Sequence, residues 1–529
     1  MADYKSTSSG GVLEQNSNQG DLHRRNVVGM EEGPDADAQL AAQFGYKPVF
    51  KREFGYLSTF SFAVSISGLF ATTMTTFSYP IMSGGSAAAV WCWAISGAGC
   101  MCIALSVAEL VSAYPTSGGL YFAISRLTPT EWVAGVASSQ YGASQMLLAA
   151  VSIGKDFDYT INANTTVGVM AGLMVLTGLV NSLSTYWMEK MTKSYVIFHV
   201  LVLVSCCIAL LVKTPNKHDA TYVFTNVDST SGWTPVGWSF LFGFLSVSWT
   251  MTDYDATAHI TEEISEPEKK APWAISMAML FTYVAGFLFN IVLCFCMGDP
   301  AEILGTSIGQ PVAQLFYNSL GKAGGIFYTV CGFIILEFVC FTAMQSLART
   351  VFAFSRDKLV PFSKVWTQIL PMTGTPIAAV WISVALCIAI NLIGLGSYTA
   401  ISGVFNVCAI ALDWSYCIPI ACKLGFGKFE PGPWHMGKFS TAVNAWACIW
   451  TVFVSIIFIL PTERPVTALN MNYAIAFLGL ILGFSTIYWY ISGKKFYTGP
   501  VIEAADEDSL RNSLDRDSRQ EKEENQNKL

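Results

Sequence analysis

The stretch WTMTDYDATAHITEE, Trp249 to Glu263, gathers two aspartates, a tyrosine, a histidine and two glutamates directly after a long apolar run. If that run lies in a membrane, a carboxylate at its end is costly unless it faces a cavity or a cation. Asp253 therefore has two readings: it contacts a cationic substrate group or a proton, or it caps the helix that follows. Asp255 reads more as structural. Glu262 and Glu263 are expected to form gate or loop salt bridges with Lys269 and Lys270. Two further ionisable residues sit in apolar runs: His199 in SYVIFHVLVLV and Glu337 in GFIILEFVCFTAMQS. An imidazole changes charge between about pH 5 and 8 and could relay a proton; it could equally make a neutral interhelical hydrogen bond. Glu337 could contact a cation or carry a proton, or stay protonated against a neighbouring helix. A third polar cluster, Ser65-Ile66-Ser67-Gly68-Leu69-Phe70 followed by Ala71-Thr72-Thr73, could unwind a helix or provide a small-residue packing face.

The elements that must position these residues follow from composition. The chain has 529 residues, 53% hydrophobic and only 13% charged, with a mean hydropathy of +0.45. So few charges cannot cover that much apolar surface in water. The apolar residues come in runs near the ~20 that a spanning helix needs. The fold class is an all-α polytopic membrane protein with about twelve spans: 57–80, 87–112, 130–153, 165–186, 195–213, 236–260, 273–297, 325–348, 376–396, 398–421, 440–460 and 472–492. The first and sixth spans carry the polar clusters. Their five-span offset is that of two repeats that each begin with a discontinuous helix. Thr250, Met251, Thr252 and Asp253 would form the unwound middle of the sixth span, and Tyr254 and Asp255 would start its inner half.

Lysine and arginine set the orientation. With the N-terminus inside, inner loops and span ends hold about sixteen of them, against five outside: Lys155, Lys213, Lys217, Lys322 and Arg464. Both termini are then cytoplasmic. The chain divides into a disordered N-terminal tail, 1–50, a transporter domain, 51–493, and a disordered C-terminal tail, 494–529; both tails are polar and lack apolar periodicity. The first span would act as its own signal. The 14 cysteines lie almost entirely in apolar runs with no CxxC or Cys/His metal spacing, so they read as small hydrophobes. No metal or cofactor is expected, no basic stripe suggests nucleic acid, and the partners are the bilayer and a small molecule. No HExxH or GxSxG falls within the spans, which argues against an enzyme.

Three segments carry a resemblance. They are Ala108-Glu109-Leu110-Val111-Ser112-Ala113-Tyr114-Pro115-Thr116-Ser117-Gly118-Gly119-Leu120-Tyr121, then Tyr254-Asp255-Ala256 with Glu262-Glu263, and Ala353-Phe354-Ser355-Arg356-Asp357 with Pro361. Together they resemble the amino acid–polyamine–organocation transporter superfamily from about 45 to 500. FGYKPVFKREF, PVTALNMNY and FYTGP are similar to the fungal GABA permeases of its eukaryotic amino acid/choline branch. The resemblance implies an inverted five-plus-five repeat of the leucine-transporter kind with two further helices, and substrate between the broken helices. Ser65, Ser67, Gly68 and Leu69 would then supply backbone and hydroxyl groups, faced by Thr250, Thr252 and Tyr254. His199 would fall near a position where some proton-coupled relatives carry lysine. Asp253 departs from the small residue common there, which suggests a cationic group on the substrate or a proton carrier. The implied function is a proton-coupled permease for GABA or a related amino acid, by default in the plasma membrane although a vacuolar or other internal membrane fits the charge bias equally. The alternatives are a choline or polyamine permease, with Trp249, Tyr254 and Phe70 as a candidate aromatic cage, and a non-transporting nutrient sensor.

Overall fold

A computed structural model describes residues 50–118, 130–396, 398–426, 429–468 and 470–494. The expected tails, apart from Phe50 and Lys494, lie outside these residues, as do Gly119, Leu120, Tyr121, Arg126, Lys428, Lys495 and the stretch 496–500. The described residues belong to one compact unit, Val49–Val501. Among them secondary structure is helical, with only two isolated β-bridges. Ten helices are long and apolar enough to cross a membrane. The remaining two expected spans, the third and the sixth, are filled by Thr130–Gly154 and by the shorter apolar Val236–Thr250. "Inner" and "outer" below follow the orientation that the lysine and arginine distribution implies.

The first span is α1 (Tyr56–Ser67) and α2 (Leu69–Thr76), separated by Gly68. The sequence suggested several unwound residues; the break is a single one. Gly68 takes the left-handed conformation, φ +51°, which costs an L-residue ~1–2 kcal/mol but not glycine. A Cβ there would also overlap the Val339 side chain. The loose ends are partly closed locally: the Thr72 hydroxyl donates to the Ser67 carbonyl at 3.0 Å and to the Gly68 carbonyl at 3.1 Å. Next, α3 (Ser78–Ala113) bends at Gly84 and Gly85. Gly85, φ +64°, lets the outer-loop backbone approach, since a Cβ would lie 3.1 Å from the Asp228 nitrogen. The Ala87 amide uses that approach to donate to the Asn226 carbonyl at 3.1 Å.

The chain continues through α4 (Thr130–Gly154), α5 (Ala163–Asn181) and α6 (Thr185–Lys213). Asn162 caps α5, its side chain accepting from the Thr165 amide at 2.9 Å. The sixth span is α7 (Val236–Phe242), α8 (Phe244–Thr250) and the four-residue α9 (Ala256–His259). Thr250 closes the outer part rather than unwinding, and Tyr254 and Asp255 lie in the turn before α9. The second half holds α10 (Pro267–Cys296), α11 (Pro311–Arg356), α12 (Ile377–Asn391), α13 (Tyr398–Phe426), α14 (Ser440–Ile459) and α15 (Ala474–Tyr488). Proline at the first helical position starts α10 and α11, where its missing N–H costs nothing. The eighth span is longer than the expected 325–348: α11 bends at Gly321 and runs on to Arg356.

Helices pair most extensively as α3 with α10 and α4 with α11. Small residues make this close, as membrane packing requires: Gly286 of α10 leaves room for the Trp93 ring and the Leu69 side chain. The Trp93 indole N–H then donates to the Tyr283 carbonyl at 2.9 Å. The result is a packed frame around the two broken spans.

Candidate transport site

At the first break, the amide of Phe70 sits in the first turn of α2, where backbone N–H groups lack intrahelical acceptors. It donates to His199 Nε2 of α6 at 3.1 Å. That nitrogen therefore carries no proton, and the buried ring is held as a neutral acceptor. Ser65 Oγ, Thr252 Oγ1 and Asp253 Oδ1 are buried atoms without a hydrogen-bond partner. Buried polar atoms are ordinarily paired, so unpaired ones at the breaks suit a polar ligand. Asp253 itself is half-buried and adopts φ +59°. Its carbonyl accepts from the Ala256 amide at 3.0 Å and so begins the inner turn.

The other expected contacts are committed elsewhere. The Thr250 hydroxyl donates to the Ser246 carbonyl of its own helix at 3.0 Å. Ser67 Oγ turns towards Met279 Sδ of α10, 3.9 Å away. The side chain of Leu69 packs beside Gly286, which leaves its backbone as the part available at the break. The Tyr254 ring lies 5.0 Å from the Tyr416 ring. Glu337 belongs to a separate network: Gln140 Nε2 donates to its Oε1 at 2.6 Å, and the Thr177 hydroxyl donates to Gln140 Oε1 at 3.0 Å. Glu337 Oε2 is buried without a partner. His199 and Glu337 thus serve different helix pairs, with Phe338 between them stacked on Tyr195 of α6 at 4.0 Å.

A cavity of about 130 Å³ lies against the outer parts of both broken spans. Thr75, Thr76, Tyr79, Leu245 and Trp249 line one side, and Ser138, Tyr141, Gln145, Leu336 and Asn406 the other. Its lining is neutral, with hydroxyls, amides and three aromatic rings. None of the eight substrate residues expected from the sequence lines it, although Trp249 adjoins Thr250.

The inner side is closed by ion pairs, but not with the expected partners. Glu263 Oε1 meets Arg349 Nε of α11 at 2.6 Å, with both side chains fully buried, and Gln345 Nε2 donates to Glu263 Oε2 at 3.2 Å. Glu262 meets Arg356 at 3.2 Å. Lys269 and Lys270 instead pair with Glu266 at 3.1 and 3.2 Å, and these two lysines hold its carboxyl below the usual glutamate range. The segment before α1 completes the closure. The Phe54 amide donates to the Glu263 carbonyl at 3.0 Å, Ser265 returns a bond to Phe54 at 3.0 Å, and Arg349 lies 5.4 Å over the Phe50 ring.

Sequence reasoning gave α13 no part in the site. Asp413 is buried there, and Tyr416 donates its hydroxyl to Asp255 Oδ1 at 2.6 Å. Asp413 had a signal, since it is the one acid in the expected span 398–421. Gln140 and Arg349 act through partners far away in the chain and gave none, while Arg356 was marked only as part of the segment Ala353–Asp357 that carried the resemblance.

A family model described as "Amino acid permease" matches residues 54–482. An uncharacterized amino-acid permease of Schizosaccharomyces pombe is 57% identical over 492 residues, covering 89% of this chain and 91% of its own. Amino-acid permease 2 of Neurospora crassa is 49% identical over 477 residues, 87% of this chain and 88% of its own. Amino-acid permease BAT1 of Arabidopsis thaliana is 28% identical over 499 residues, 87% of this chain and 95% of its own.

Proposed function

The chain belongs to the amino acid permease family, and from that premise we propose that it imports GABA or a related amino acid by proton-coupled alternating access. The observation that carries this reading is the bond from the Phe70 amide to His199 Nε2. A proton on Nε2 removes the acceptor lone pair and breaks that bond. The Phe70 N–H, at the positive end of α2, then becomes free for a substrate carboxylate. The new imidazolium charge favours the same carboxylate. Proton and substrate thus promote each other's binding, which is what symport requires. At the other end, Asp253 Oδ1 offers an unpaired acceptor for the ammonium group, with Thr252 Oγ1 beside it in sequence. Glu337, with one free buried oxygen, is a second candidate proton carrier.

The neutral cavity on the outer side is the approach route in this reading, and the Glu262–Arg356 and Glu263–Arg349 pairs are the inner gate. No bond in the substrate is made or broken. This reading puts the protein in the plasma membrane with both termini cytoplasmic.

The test is uptake of labelled GABA into proteoliposomes, with and without an inward proton gradient, in competition with choline, putrescine and several amino acids. Gradient-driven uptake that amino acids inhibit and choline does not is the expected result. Transport of choline or putrescine in its place would move Asp253 to the role of a cation's partner and Trp249, Tyr79 and Tyr141 to that of an aromatic cage.

A further inference from the structure

Both halves of the broken first span are bonded to the same helix. On the outer side of the break, the Phe70 amide of α2 donates to His199 Nε2 of α6 at 3.1 Å. On the inner side, the buried Ser61 hydroxyl of α1 donates to the Thr192 carbonyl of α6 at 2.5 Å and accepts from the Val196 amide at 3.1 Å. Thr192 and Val196 are the acceptor and donor of a single helical turn. The hydroxyl therefore bonds across that turn, which is how a side chain enters a helix ladder. Val196 and His199, spaced i and i+3, share a face of α6. The other hydroxyls of α1 do not reach α6. Ser58 and Thr59 turn back to the Gly55 carbonyl, Ser67 turns to Ala63 and Met279, and Ser65 Oγ is unpaired. Between the two attachments stands Gly68, at φ +51°.

We propose that α6 is a splint across the break at Gly68, and that Ser61 is the positioning residue that fixes its inner end. The inference rests on the proton-coupled alternating access proposed above and adds a residue that acts through His199. With both attachments made, α1 and α2 cannot swing about Gly68 unless one of them breaks. A proton on His199 releases the outer attachment; the inner one has no titratable group and keeps α1 in register with the proton site. The gate joins the same chain of contacts, because Phe54, just before α1, donates its amide to the Glu263 carbonyl at 3.0 Å. An empty carrier with a neutral His199 is thus held shut on the inner side, which opposes passage of substrate without its proton.

Few charges reach the two attachments from the elements packed on α6, which are α1, α10 and α11. The two half-helices α1 and α2 carry no acid or base except Tyr56. On α11, Glu337 is bonded to Gln140 and Arg349 and Arg356 are paired in the gate. Glu268, Lys269 and Lys270 stand at the inner start of α10. On α6 itself Glu189 pairs with Lys193.

The experiment uses the full chain in sealed, oriented vesicles with two thiol reporters. Thr59→Cys lies on α1 and is buried in this form; Asn406→Cys lies in the outer cavity. A membrane-impermeant maleimide is applied to the inner face for the first and to the outer face for the second. Without substrate at about pH 8, above the ordinary imidazole range, Ser61→Ala should raise labelling of Thr59→Cys about twofold to tenfold, the shift that loss of one hydrogen bond gives. Labelling of Asn406→Cys should fall. His199→Ala should act in the same direction, and adding Ser61→Ala to it should change little more, because the splint is already released at one end. Ser61→Thr keeps the hydroxyl and should keep the wild-type rates. Unchanged labelling in Ser61→Ala would overturn the splint. So would a rise of both reporters together, since that is loss of structure and not a swing of α1, or effects of Ser61→Ala and His199→Ala that simply multiply. The underlying proton coupling is read separately: in the wild type, the labelled substrate should raise Thr59→Cys labelling at acid pH and not at about pH 8. Equal responses at both pH values, with the Ser61→Ala effect intact, would sink the coupling and leave the attachment at Ser61 standing.

Discussion

At the scale of single residues, the two breaks differ in what they leave open. The first leaves an amide that a titratable ring occupies; the second leaves a carboxylate oxygen and a hydroxyl that nothing occupies. Asp253→Asn keeps size and removes charge. It should abolish or strongly weaken uptake while the protein still reaches its membrane, since the amide cannot balance an ammonium group. Near-normal uptake with normal surface abundance would end the role given to Asp253. His199→Ala should leave the Phe70 amide open and lose the pH dependence of uptake, because the proton that freed that amide has no site. A pH profile of the variant matching the wild type would return His199 to packing. Both residues were legible from sequence as ionisable groups in apolar runs. What the sequence could not give was direction: His199 turns to α2, whereas Glu337 turns to α4, away from it.

At the scale of elements, the structure concentrates the constraint in one residue of the first span and in one pair at the inner gate. Gly68→Leu meets both the positive φ and the Val339 side chain, so substrate binding should be lost. Gly68→Ala combined with Val339→Ala removes the clash but leaves ~1–2 kcal/mol of backbone strain, and should recover part of the binding. Binding competition separates the two, and normal affinity in Gly68→Leu would mean that substrate does not approach this break. At the gate, Glu263→Gln strands the Arg349 charge among buried groups, at a cost of about 3–5 kcal/mol. The Glu262–Arg356 pair is slightly less buried, so Glu262→Gln should cost less than Glu263→Gln. Thermal unfolding in detergent should rank the two in that order; equal losses would mean that the buried pair is no stronger a lock than the rim pair. The sequence suggested gate or loop salt bridges for the glutamates but paired them with the nearby Lys269 and Lys270. Local lysines are the natural choice when distance along the chain is all one has. The arginines that take their place lie more than eighty positions downstream, with separations of 86 and 94 residues.

For the whole molecule, the helical membrane architecture was legible because a bilayer requires long apolar runs with internally bonded backbone. The second break was legible because an acid is costly in such a run, and the Ser–Gly cluster of the first span because it lies five spans earlier, the offset of paired discontinuous helices. The buried Asp413–Tyr416 face and the neutral outer cavity depend on which helices meet, and α13 meets the sixth span only after the chain has crossed several more times. The structure closes the inner side and leaves the cavity against the outer one, and this can be tested for orientation and state together. None of the described cysteines is exposed, so native thiols should give little background. Asn406→Cys places a thiol in the cavity lining. In sealed, oriented vesicles a membrane-impermeant maleimide should label it from the outer face, and saturating substrate should slow labelling about tenfold or more, as expected if occupancy shifts the transporter away from this form by at least 1.4 kcal/mol. Labelling only from the face that carries the termini would mean that the cavity opens on the side that the ion pairs close. Labelling indifferent to substrate would detach the cavity from the transport route, because a route that alternates must close when its cargo is bound.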